Sequence, residues 1–115
     1  MITVPREEFE ELVGRALDQI PDGLARLMDN VVVLVEDYPP EGRRLLGLYH
    51  GVPLTQRGQF YAGMLPDTIH IYRYPIMRMC HTPEEVIEQV RVTVVHEVAH
   101  HFGISDDRLD ELGYA

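Results

Sequence analysis

Residues 81–107 read HTPEEVIEQVRVTVVHEVAHHFGISDD, and the fold turns on how this stretch is read. Thr82 is suited to cap a helix, Pro83 to its first position, and Glu85 stands three residues after the cap, as in a capping box. Gly103 is suited to end it, because a left-handed C-terminal residue costs least as glycine. Helix positions rotate by about 100° each, so with His96 at zero, His100 falls near 40° and Glu97 near 100°. Those three therefore share one side. Ile87, Val94 and Val98 fall on the other and are expected to face the core.

Two imidazoles one turn apart can reach a single ion, and neutral imidazole nitrogen suits zinc. Two ligands hold a metal weakly, so a third is needed, with one position left open for water. A chain that reverses at Gly103 can bring Asp106 back to the ion, and the whole reads H-E-x-x-H-x-x-G-x-x-D. His96, His100 and Asp106 are thus the candidate ligands. Glu97 is the candidate base. Asp107, Asp110 and Glu111 are rival acids, and a last short helix capped by Ser105 or Asp106 competes for Asp106 itself.

On these residues the chain resembles the small bacterial zincin-like metallopeptidases, a minimal metzincin-like group with aspartate as third ligand. The resemblance centres on residues 94–107 and extends more loosely to DTIHIYRYPI upstream. It implies an α+β, minimal zincin-like fold over residues 1–115 as a single domain. In that fold a small sheet of three to four strands packs against N-terminal helices and a long active-site helix, with a short C-terminal helix after it. It also implies Zn2+ held by His96, His100 and Asp106, and a peptide or protein substrate. One feature departs from the metzincin pattern: no methionine follows Met79, so the methionine turn after the third ligand is missing. With nine residues after Asp106, the lower half of a cleft is expected to be thin.

The rest of the chain fits an α+β reading. TVPREEFEELVGRALDQIP predicts a first helix with Thr3 as cap and Pro5 in the first turn. Its buried face is Phe9, Leu12, Val13, Ala16, Leu17 and Ile20. DGLARLMDN adds a short helix. VVVLVED reads as a buried strand, LLGLYHG as a strand returning antiparallel to it, and TIHIYRY as a third. VPLTQRGQFYAGMLPD is an irregular connection, and YPIMRMC starts a short helix.

Composition narrows the function classes. Hydrophobic residues make up 45% and charged residues 25%, the balance of an ordinary globular chain. Net charge is −9, and all 10 basic residues are arginines that form no stripe, so nucleic acid is not an expected partner. The longest apolar run, VVVLV, is strand-sized, so no membrane partner is expected. The opening MITVPREEFEEL lacks the order of a secretory signal, which makes a cytoplasmic location the expectation. The lone Cys80 agrees with a reducing compartment.

If the site is catalytic, Glu97 takes a proton from water and passes it to the leaving amine. TIHIYRY is the expected edge for an extended peptide. His101 and Tyr114 are left as unassigned candidates near the reacting carbonyl, with His101 otherwise a helix-end residue. His50, His70 and His81 lack ligand spacing and read as structural or surface residues. Cys80, Met77 and Met79 read as packing. The alternative function is a non-catalytic metal-binding or regulatory protein on the same scaffold. Metal-assisted RNA cleavage is disfavoured by the acidic charge.

Overall fold

The computed structural model describes residues 1–52 and 65–114. Most of the irregular connection read from the sequence lies outside the described residues. Helix α1 spans Arg6–Leu17, and α2 spans Asp22–Ala25 and continues as a 3-10 turn, Arg26–Met28. Strands β1 (Val31–Glu36), β2 (Gly47–His50) and β3 (Asp67–Tyr72) follow. Then come α3 (Arg73–Met79), α4 (Pro83–His101) and α5 (Asp106–Leu112). This is the expected α+β architecture, with three strands among the described residues and a short helix at the end.

Helix α4 is the centre of the packing, touching α1, α2, α3, β2 and β3. Its N-terminus forms as the sequence predicts: Thr82 Oγ1 accepts from Glu85 N at 3.1 Å. Glu85 Oε2 reaches back to the backbone N–H of His81 rather than of Thr82, at 2.6 Å. Val86, Val90, Val94 and Val98 are fully buried and meet the α1 face of Phe9, Leu12, Val13 and Ala16. Each large apolar side chain buried there contributes about 1.5–3 kcal/mol.

Helix α1 begins two residues later than the sequence suggests. Pro5 is the capping position and Thr3 makes no cap bond, because the first residues run along α3 instead. Ile2 N donates to Met77 O at 3.1 Å and Val4 N to Met77 Sδ at 3.4 Å. Met77 and Cys80 are buried as expected, whereas Met79 is 52% exposed.

The strand order is β1-β3-β2. β1 pairs with β3 in parallel, from Val31 opposite Asp67 to Glu36 opposite Tyr72. β2 pairs with β3 antiparallel, from Gly47 opposite Ile71 to His50 opposite Thr68. Two expectations are corrected here. β2 does run against β1, but β3 lies between them and takes the hydrogen bonds of both. TIHIYRY is therefore the central strand and not an edge; it also ends at Tyr72, where Arg73 opens α3. Likewise β1 is not a buried strand: it lies at an edge and alternates, with Val32 43% and Leu34 42% exposed. Its inner face packs on the core, but its outer face has no helix over it among the described residues.

Gly47 lets β2 lie close against α4. A Cβ there would stand 2.7 Å from Thr93 Cγ2 and 3.0 Å from the His70 carbonyl oxygen. No helix among the described residues is long and apolar enough to cross a membrane.

Candidate metal centre

His96, Glu97 and His100 occupy the last turns of α4, on the side turned from the valine core. The His96 and His100 rings stand 6.1 Å apart between centroids, inclined by 24°. Gly103, at φ 76°, then reverses the chain. Ile104 N donates to Ala99 O at 2.8 Å and Gly103 N to His100 O at 3.2 Å, which closes the helix end.

The reversal brings Asp106 back to His100, with Asp106 Oδ1 3.1 Å from His100 Nε2. Asp106 is the first residue of α5 and not its cap. Ser105 takes that role, its Oγ accepting from Arg108 N at 3.1 Å. The competing use of Asp106 is thereby removed, and its carboxylate points back along α4.

Donor types and spacing can be compared with what zinc needs. Two ligands of a tetrahedral zinc, each bonded at about 2.0–2.1 Å, stand roughly 3.3 Å apart. The His100–Asp106 separation matches that. Two imidazoles on one zinc stand roughly 5 Å apart between centroids, so the His96 ring lies about 1 Å further out. Among the described residues no three His, Cys, Asp or Glu side chains already converge on one point. The residues fit zinc in type, and His100 with Asp106 fits it in spacing, while His96 stands further out.

Glu97 is held from the sheet. Its Oε1 accepts from the backbone N–H of Tyr49, in β2, at 3.0 Å. That anchor is not visible in sequence, because a backbone donor on a neighbouring strand carries no residue signature. Asp67, which the sequence reading passed over, is 9% exposed and fixes the same corner. It accepts from Tyr49 Oη at 2.7 Å and from Val52 N at 2.8 Å.

His101 belongs to this corner and not to the metal pair. Its ring stacks on Tyr49 with centroids 3.9 Å apart, and its Nε2 lies 3.9 Å from Asp67 Oδ2. Tyr114 is elsewhere, its hydroxyl against Gly23 in α2. The other histidines keep to the surface or to structural contacts. His70 Nδ1 bonds Glu36, its ring meets that of His50, and His81 Nδ1 takes the N-terminal amine at 2.8 Å.

Tyr72, at the end of β3, and Cys80, at the far end of α4, are shifted in pKa. Burial pushes the Tyr72 phenol up, Arg43 pulls it down, and Glu97 pushes it further up. Tyr72 thus lies within electrostatic reach of the candidate base. Burial also pushes the Cys80 thiol up and Glu85 adds to it, against the N-terminal amine, so Cys80 is an inert packing residue.

Among solved structures, the chain is similar to a conserved hypothetical protein from Thermo thermophilus. The two share 25% identity with a TM-score of 0.58, over 86% of this chain and 94% of that one. No curated protein matches. The family described as zincin-like metallopeptidase matches residues 28–114, which take in the sheet, the α4 pair and the Asp106 return, and the chain belongs to that family.

Proposed function

We propose that the protein is a zinc-dependent metallopeptidase, with His96, His100 and Asp106 holding the metal and Glu97 as general base. The observation that carries this reading is the position of Glu97. Its carboxylate is anchored by Tyr49 N–H beside two imidazoles, one of which already meets Asp106 at ligand spacing. Zinc, when bound, polarises a carbonyl oxygen and lowers the pKa of water toward neutrality. With Oε1 held by β2, Oε2 of Glu97 takes the proton from the attacking water and delivers it to the leaving amine.

A peptide laid along β2 passes the Glu97 carboxylate, so β2 replaces β3 as the strand that presents substrate. The lone Cys80 supports a cytoplasmic site of action. A second reading, a metal-binding protein without turnover, is favoured by the openness of the site: the His100 and Asp106 side chains are 55% and 70% exposed.

The test is cleavage of a mixed peptide library by the zinc-loaded protein and by Glu97→Gln. The wild type is expected to cleave. The variant should keep about one zinc per chain and lose at least roughly 100-fold in rate. Cleavage that survives the substitution, or its absence in the wild type with every peptide, defeats the peptidase reading.

A further inference from the structure

The loop from β1 to β2 and one side of α3 border an open cavity of about 680 Å³. Arg43, Arg44 and Arg78 line it with Tyr38, Glu41 and Leu46. Among the described residues Arg6, Arg73, Arg91 and Arg108 pair with acids, whereas Arg15 and Arg26, set apart from the cavity, do not. The three cavity arginines form no ion pair among the described residues. Set against Glu41, they leave the lining with a surplus of positive charge. Tyr38 stacks on Tyr74 with centroids 4.8 Å apart, which stiffens one wall.

The cavity adjoins the candidate active site. Leu46, on its border, accepts from Tyr72 N at 2.9 Å, and β2 starts at the next residue. From Leu46 to Tyr49, which anchors Glu97, is about 10 Å of extended chain. Tyr72 lies within electrostatic reach of both Arg43 and Glu97. A strand added antiparallel to β2, the more stable pairing, runs from the Gly51 end toward Leu46. Its residues beyond the Glu97 level therefore head for the arginines.

We propose that the arginine-lined cavity receives an acidic C-terminal portion of the peptide substrate, which rests on the peptidase reading and adds a specificity to it. Guanidinium forks hold carboxylates bidentately, and Tyr38 with Leu46 gives the bound segment an apolar wall. The selected substrates carry Asp or Glu about three or more residues after the scissile bond.

The experiment uses zinc-loaded Glu97→Gln, so that affinity is read whether or not turnover occurs. Labelled synthetic peptides carry Glu in the C-terminal half, Glu in the N-terminal half, or Gln throughout, and are titrated by fluorescence anisotropy. The first is expected to bind about tenfold tighter than the others, an advantage that fades with salt. Adding Arg43→Gln, Arg44→Gln and Arg78→Gln together should erase it, and Arg78→Gln alone should reduce it, with circular dichroism confirming the fold. Equal affinities, preference for the N-terminal acid, no binding of any peptide, or an advantage that survives the triple substitution overturns the proposal. C-terminal selectivity in binding with no cleavage by the wild type would sink the peptidase reading alone.

Discussion

Asp106 is the residue on which the metal reading depends most, because four acids crowd residues 106–111 and only one can return to α4. Ser105 caps α5, and Asp106 Oδ1 comes within 3.1 Å of His100 Nε2. Asp106→Ala is therefore expected to weaken zinc binding by more than about 100-fold, since even groups that merely hydrogen-bond to ligands cost 10- to 100-fold. Asp107→Ala should leave it within about twofold, because Asp107 is exposed and only its general negative charge is lost. Competition titration with a zinc indicator reads both. Equal losses would mean that the acids act as an undifferentiated negative surface. The sequence points to Asp106 by its spacing from Gly103 but leaves rival acids beside it, because the direction of one side chain after a turn carries no sequence signature.

At the scale of the element, α4 and its exit are separable devices. Thr82 caps the far end, about 20 Å along the axis from His96. Thr82→Ala should cost about 1 kcal/mol of stability and leave zinc affinity unchanged. Gly103 sits at φ 76°, where a Cβ is strained, so Gly103→Ala should cost about 1–2 kcal/mol. It should also weaken zinc binding, because the same bend delivers Asp106. Urea denaturation alongside zinc titration distinguishes the two variants, and a Gly103→Ala protein with wild-type affinity would detach the bend from the site. Both helix ends were legible in the sequence because capping depends on neighbours a few residues apart. The role of β3 was not. TIHIYRY alternates as an edge strand can, whereas the more apolar VVVLV takes an edge position with Val32 and Leu34 outward. Composition alone does not rank strands by position in a sheet.

At the scale of the whole molecule, sheet and helices meet at Tyr72, which closes β3, is 2% exposed and lies in reach of both Arg43 and Glu97. Its phenol has a folded pKa above its ordinary value of 10.0, with burial the largest cause. The folded state therefore binds this proton more tightly than the unfolded chain does. The associated stability is fully present below about pH 10 and is lost as pH rises through the folded value. Compared with Tyr72→Phe, the wild type should lose more stability between neutral pH and the alkaline limit, measured as the urea midpoint across that range. Parallel loss in both proteins would show that another group carries the alkaline transition. The same assembly gathers Arg43, Arg44 and Arg78 at one cavity, although the sequence reads the arginines as scattered.

The sequence by itself determined the long helix, its cap and its glycine exit, the facing of His96, Glu97 and His100, and the α+β class. All of these follow from rotation per residue and from bonds between residues a few positions apart. Only the tertiary structure decided that β3 lies in the middle, that Tyr49 in β2 anchors Glu97, and that Arg78 shares one cavity with the neighbouring Arg43 and Arg44. Those outcomes depend on which surfaces bury best against each other across the chain, and no local pattern encodes that competition.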